Sequence, residues 1–293
     1  MSGELVLITG GTGFIGFKTV QTALQAGYSV RAAIRSEAKA DIILATPTIK
    51  ALNPGSRLSF TIVPDILAPN AYDEAVKDVK YIIHCASPMI KGEVKPEDYK
   101  EKMITSAVKG TVGILKSATK TDGIKRVVIT SSEIAIIPWE EFAAKEADTL
   151  FDDTYHTPLP LGPYSHVFKA YAASKVHALV ASKNFMAEKK PEFDVINIMP
   201  GFVIGANELV TNQVEILMST NAPAFAQVLG RDSGWDPAVT STSVFVDDVA
   251  WLHVEAPNEK IAGNQSFLAV SEGEKRTVGM RRLRLFREIS QEP

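Results

Sequence analysis

A strand-like apolar run, Leu5–Thr9, passes without a linker into Gly10-Gly11-Thr12-Gly13-Phe14-Ile15-Gly16, and helical spacing begins at once. Few folds have a use for that junction. Glycines after a strand let the backbone turn sharply and let an anion approach the free amides at a helix N-terminus. Here Gly10 and Gly13 supply the tight turn and the close approach, while Gly16 lets the helix pack on the strand. That pattern cradles the pyrophosphate of a dinucleotide, with Thr12, Phe14 and Ile15 among the contacting positions.

The rest of the chain supplies the context that gives the glycines meaning. Apolar runs at Leu5–Thr9, Ser29–Ile34, Ser59–Val63, Tyr81–His84, Val127–Thr130 and Asp194–Met199 are continuous instead of alternating, as expected of strands buried on both faces. Helical patterns at 14–26, 71–77, 97–119 and 168–189 lie between them and provide right-handed crossovers. After Pro200-Gly201 the pattern loosens, with Pro223, Gly230, Gly234 and Pro237, before a strand-like run at Thr242–Val246. The expectation is an α/β fold: a doubly wound parallel sheet (Rossmann) with a small substrate lobe at its carboxyl edge. Residues 1–200 and 241–256 form the dinucleotide-binding core, and 201–240 and 257–293 the lobe. Met280, Leu283, Phe286 and Ile289 recur every third residue within a basic stretch, so 274–288 reads as an amphipathic helix with a solvated face.

Charge and cysteine content exclude several partners. Lysine plus arginine number 31 against 34 acids, so no global positive field draws the chain to nucleic acid or to an anionic membrane. Cys85 is the only cysteine, which rules out an internal disulfide framework and a cysteine-rich zinc cluster; no metal is expected. Met1-Ser2-Gly3-Glu4 lacks the basic start of a secretory signal, and Leu5–Ile8 is too short to span a bilayer. A cytoplasmic protein with a small-molecule partner follows, monomer or homodimer being left open.

The second strand-like run ends at Ile34. An acid about twenty residues past the glycine turn would bond the 2′-hydroxyl of NAD; this chain has Arg35, with Lys39 one helical turn on. A guanidinium and an ammonium suit a 2′-phosphate, so the expected cofactor is NADP(H). Asp65-Ile66 follows the third run where the adenine edge would lie, and Asp65 is equally a helix-cap candidate.

Tyr171-Ala172-Ala173-Ser174-Lys175 places a phenol and an ammonium on one helix face. A phenol titrates near pH 10, too high for acid–base work at neutrality, and a cation one turn away stabilises its phenolate. Ser131-Ser132 ends the run Val127–Thr130, where a hydroxyl opens onto the ligand crevice of such a sheet and can bond a carbonyl oxygen. His84 and Cys85 read as a strand end packed in the core.

These residues resemble the extended short-chain dehydrogenases/reductases, and within them the group of plant dihydroflavonol reductases and fungal aldehyde and ketone reductases. The resemblance is carried by Thr9 to Gly16, Val30 to Arg35, His84-Cys85-Ala86-Ser87-Pro88, Ile129 to Ser132, Tyr171 to Lys175, Pro200 to Gly205 and Val246 to Ala250, and runs nearly continuously from residue 4 to about 270. It implies Ser132, Tyr171 and Lys175 as the catalytic residues. It also implies Ala86 and Ser87 beside the cofactor ribose, with Thr130, Tyr171 and Lys175 on the cofactor side, and Pro200, Gly201 and Val203 around the nicotinamide. The expected reaction is hydride transfer from NADPH to a carbonyl carbon, with Tyr171 giving a proton to the oxygen.

Two departures refine this. Where dihydroflavonol reductases carry an asparagine five residues after the catalytic serine, this chain has Ile137, followed by Pro138-Trp139. Met89, Ile137, Trp139 and Phe202 therefore suggest a small, largely apolar aldehyde or ketone, and Glu140 to Pro163 a flap over it. Relatives also continue further past Phe267-Leu268-Ala269-Val270, so the lobe is expected to be C-terminally shortened. The alternatives are a nucleotide-sugar epimerase or dehydratase using NAD, for which 201–240 holds only one basic residue, Arg231, and a non-catalytic dinucleotide sensor.

Overall fold

The structure, a computed structural model, describes residues 3–88, 92–143, 151–210, 212, 215–216, 219–222, 224–225 and 242–271. The strands are β1 (Leu5–Thr9), β2 (Ser29–Ile34), β3 (Leu58–Ile62), β4 (Tyr81–His84), β5 (Arg126–Thr130), β6 (Asp194–Pro200), β7 (Phe202–Ile204), β8 (Ser243–Phe245) and β9 (Gln265–Ala269). Seven of them form one parallel sheet in the order β3-β2-β1-β4-β5-β6-β9, and β7 pairs with β8 in a separate parallel ribbon. The order reverses between β1 and β4, which opens a crevice at their carboxyl ends.

Alternate residues of each strand feed two cores. Val6 and Ile8 of β1 join Val30, Ala32, Ile83, Val128 and Ile196 on one face. Leu7 joins Ile82, Val127, Ile129 and Val195 on the other. The first face is covered by α1 (Phe14–Gln25), α2 (Glu37–Ala45), α3 (Pro47–Leu52) and α7 (Val246–Glu255), through residues such as Val20, Ile43, Ile49 and Leu252. The second is covered by α4 (Ser106–Ala118) and α6 (Val167–Lys189), through Ile114, Leu115 and Phe185. With both faces buried there is no polar alternation to see, which is why the runs read as continuous.

The structure corrects four expectations. Residues 71–77 are turns, not a helix: Tyr72, Ala75 and Val76 are buried, but Asn70 and Asp78 take positive φ and close the segment off. The helix expected over 97–119 is divided into a 3₁₀ turn at Pro96–Asp98, a π turn at Lys100–Thr105 and α4. The 257–293 segment does not belong wholly to a lobe, since Gln265–Ala269 supplies the edge strand against β6. Conversely Thr242–Val246, placed in the core, contributes β8, which leaves the main sheet to pair with β7. The 274–288 helix lies outside the described residues.

Candidate active site

The glycine turn is fixed by what its backbone touches. Gly10 has φ +71°, and a Cβ there would stand 2.8 Å from Ala86 N. A Cβ on Gly16 would stand 2.1 Å from the Gly10 carbonyl oxygen, so neither position accepts a side chain. Gly13 is the exposed N-cap of α1, and its amide donates to Gly10 O at 2.8 Å. The bare, outward-facing backbone at a helix N-terminus fits a dinucleotide pyrophosphate. Phe14 and Ile15 are half-buried against Val203, Val244 and Val249, so they also lock α1 to the β7–β8 ribbon; Thr12 is half-buried in the same turn.

Thr9 staples this loop to the next strand, a role the sequence reading missed. Its Oγ1 accepts from Ala86 N at 3.1 Å, leaving the hydroxyl proton for His84 Nδ1 at 2.9 Å. His84 is buried as expected, edge-on to Tyr72 with centroids 5.7 Å apart. Burial, with the nearby Lys175 charge second, lowers its pKa to about 4. Burial also pushes the Cys85 thiol up to about 11, outweighing the lowering influence of the neighbouring Thr130 and Thr19 hydroxyls. Both residues are held neutral.

Arg35 and Lys39 are exposed just past the carboxyl end of β2, with Lys39 on the first turn of α2. Asp65 is exposed and its carboxylate accepts from Leu67 N at 2.8 Å, closing a local turn; no helix starts there, so the cap alternative does not hold. Ile66 packs against the core under α4.

The crevice brings together much of the expected set. One cleft is lined by Ala86, Ser87 and Pro88 after β4, Thr130 and Ser131 at the end of β5, and Lys175 on α6, with His84 and Asn197 at its floor. Tyr171, one turn before Lys175, is 42% exposed, and the Lys175 ammonium lies 5.5 Å from its ring centroid. Ser132 caps the 3₁₀ turn Glu133–Ala135, its Oγ accepting from Ile134 N at 3.4 Å. Thr130 is oriented from below: His253 Nδ1 donates to Val249 O, so Nε2 accepts the Thr130 hydroxyl at 2.7 Å. Burial lowers the His253 pKa to about 4. Neither the Thr130–His253 pair nor Asn197 was singled out from sequence, where nothing marks residues 123 positions apart as partners.

Pro200 is buried at the end of β6, and Gly201 lies so close to Thr242 that a Cβ would be 2.5 Å from its carbonyl oxygen. Among the expected pocket residues, Ile137 packs beside Ile136, Leu179 and Met199, Phe202 is half-buried in β7, and Met89 lies outside the described residues. Trp139 opens α5 (Trp139–Ala143) and meets His166, the N-cap of α6, at 5.1 Å between centroids. Lys169 on α6 bonds Glu140 at 2.7 Å, which ties this end of the expected flap to the helix that carries Tyr171 and Lys175. The other end is held where His177 donates to Pro160 O at 2.9 Å.

Among the described residues there is no metal-ligating cluster, and no helix is long and apolar enough to cross a membrane. A profile described as the NAD dependent epimerase/dehydratase family matches residues 6–262. The chain is 36% identical over 272 residues to Ketoreductase CTB6 of Cercospora nicotianae, covering 92% of this chain and 75% of that one. It is 38% identical over 261 residues to the NAD-dependent epimerase/dehydratase ALT6 of Alternaria alternata, covering 87% and 73%. Among solved structures, Gre2 from Candida albicans in complex with NADPH matches with a TM-score of 0.75 at 26% identity, over 92% of this chain and 78% of that one.

Proposed function

The chain belongs to the NAD dependent epimerase/dehydratase family, the extended short-chain dehydrogenases/reductases, and from that premise we propose that it is an NADPH-dependent reductase of a small, largely apolar aldehyde or ketone. The carrying observation is the cleft in which Lys175, one turn from Tyr171, meets Ser131, Thr130, Ala86 and Ser87 beside the glycine cradle. The ketoreductase name of the Cercospora relative and the NADPH held by the Candida neighbour support the same direction.

In this reading Gly10, Thr12, Gly13, Phe14, Ile15 and Gly16 would hold the pyrophosphate, Arg35 and Lys39 the 2′-phosphate, and Asp65 and Ile66 the adenine side. Ala86, Ser87, Thr130, Tyr171 and Lys175 would hold the nicotinamide ribose, with Pro200, Gly201 and Val203 beside the ring. The bound nicotinamide supplies the hydride. The side chains do the rest. Ser132 donates a hydrogen bond to the substrate oxygen and polarises the carbonyl. Tyr171 holds a proton on its phenol oxygen and delivers it to that same oxygen, and the Lys175 charge favours the phenolate left behind. Ile137, Trp139 and Phe202 offer largely apolar surface, and the aliphatic Ile137 cannot bond a ring hydroxyl, which favours an apolar substrate. Met89 completes that set in sequence.

The test is NADPH oxidation across aromatic aldehydes, ketones and ketoesters, with Tyr171→Phe as the variant. Removing one hydroxyl from a 42% exposed ring leaves the fold intact; kcat should fall by at least about a hundredfold, the usual worth of a positioned proton donor. NADPH affinity should change less than about threefold. Unchanged turnover in Tyr171→Phe, or a folded NADPH-binding parent that reduces nothing on the panel, would overturn the proposal.

A further inference from the structure

Glu133 is a carboxylate placed where the proposed chemistry has no use for one. It follows Ser132 directly, opens the 3₁₀ turn and is only 3% exposed. A buried carboxylate is costly unless hydrogen-bonded, so where its bonds go is informative. Thr242 Oγ1 donates to Glu133 Oε2 across 109 residues of sequence.

Thr242 is itself held in the wall expected beside the nicotinamide. Its carbonyl accepts from Phe202 N at 2.8 Å and presses on Gly201 so closely that no Cβ fits there. The residues that follow form β8 against β7, and Ser271 N donates to Ser243 O at 2.7 Å. On the other side, the Glu133 carbonyl accepts from Ile136 N at 3.0 Å and Ile137 N at 3.2 Å, which shapes the approach to Trp139. Among the described residues Ser132 Oγ has only the long 3.4 Å contact with Ile134 N to fix it, so its position depends on the turn as a whole.

We infer that Glu133 is a positioning residue, which sets Ser132 and the Gly201–Phe202 wall in one register through the Thr242 hydroxyl. The inference rests on the proposed roles of Ser132 and of that wall. A carboxylate accepting from a hydroxyl makes a strong, directional bond. It ties the group that orients the substrate oxygen to the backbone beside the hydride donor, so the two move together or not at all.

The experiment combines kinetics with amide exchange. Thr242→Val keeps shape and removes the hydroxyl; Thr242→Ser keeps the hydroxyl. Thr242→Val should lower kcat about tenfold, the size of one lost charge-assisted bond, with KM and the NADPH Kd changed less than about threefold. Thr242→Ser should stay within about twofold of the parent. The Ser132→Ala penalty in kcat should shrink by about the same tenfold when measured in Thr242→Val, because the serine it removes is already displaced. Additive penalties, or equal losses in Val and Ser, would overturn the inference. Exchange at the amides of Ile134 and Phe202 gives a readout without turnover. Both should accelerate in Thr242→Val while β1 is unchanged; acceleration at Phe202 alone would also overturn it. A parent that reduces no carbonyl compound sinks the proposed function, and the exchange result still decides the coupling.

Discussion

Gly16→Ala isolates the contact on which the cofactor cradle is built. The added methyl would lie 2.1 Å from Gly10 O and 2.6 Å from Gly10 C. Non-bonded carbon and oxygen settle at about 3.3 Å, so α1 and the loop must part by about 1.2 Å. Gly10 has little room to retreat, because the space where its Cβ would lie is only 2.8 Å from Ala86 N and 2.9 Å from Cys85 C, and Gly10 O is engaged by Gly13 N at 2.8 Å. Overpacking of this kind costs about 1–3 kcal/mol. At roughly 2–4 °C per kcal/mol for a chain of this size, the melting temperature should fall by about 2–12 °C.

The same displacement moves the amides that would face the pyrophosphate. An error of about 1 Å in such an arrangement can cost on the order of a hundredfold, and NADPH affinity should drop at least about tenfold. Gly11→Ala is the control. Its methyl would meet Ala32 Cβ and Val20 Cγ2 at 3.5 Å, an ordinary contact, so stability should stay within about 0.5 kcal/mol and NADPH binding should persist. Urea unfolding followed by circular dichroism and a fluorescence titration with NADPH read both effects. Parental stability and affinity in Gly16→Ala, or equal damage from Gly11→Ala, would refute the reasoning.

Other perturbations separate cofactor choice, core electrostatics and pH. Arg35→Asp should weaken NADPH at least about tenfold more than NADH by removing one cation from a 2′-phosphate, and equal losses would remove Arg35 from that role. Arg126, 6% exposed, bonds Asp194 at 2.8 Å through Nη2 and donates to the carbonyls of Ala256, Asn258 and Ile261. Arg126→Leu takes the guanidinium from the part-buried Asp194 and from the Ala256 and Ile261 carbonyls, while Asn258 O keeps Ile261 N at 3.0 Å; it should cost about 3 kcal/mol in urea unfolding, and a loss under about 1 kcal/mol would mean water replaces it. His84 and His253 have folded pKa values near 4, below the ordinary 6.5, so the unfolded chain binds protons first as pH falls. Their contribution is complete above about pH 6.5 and is lost toward pH 4, about 2 kcal/mol each by pH 5. His253→Gln should flatten that slope in urea midpoints, and a wild-type midpoint unchanged from pH 7 to 5 would contradict the assignment.

What could be read from sequence follows from how each feature is encoded. A strand buried on both faces is a local run of apolar residues, so β1, β2 and β4 were legible to the residue. The glycine turn is also local, because Gly10 and Gly16 meet six positions apart. Residues 71–77 misled for the opposite reason: Tyr72, Ala75, Val76 and Val79 have helical spacing, but their burial serves packing on the sheet while Asn70 and Asp78 turn the chain. Gln265–Ala269 reads as part of the lobe because an edge strand is defined by its neighbour, Ile196–Pro200, and not by its own composition.

The polar pairs obey the same logic. Thr9 with His84, Thr130 with His253 and Glu133 with Thr242 each join groups at least 75 residues apart, so no spacing could announce them. Their location is nonetheless a consequence of the fold. Thr9, His84 and Thr130 end three adjacent strands, Glu133 lies three residues past β5, and a parallel sheet gathers those ends along one edge. Backbone leaving a strand there loses its ladder partners while still buried, and it must find side-chain partners in the neighbouring loops. The edge that can receive a ligand is therefore also the edge that needs polar staples, and a substitution in a staple should be felt first in the geometry of the cleft.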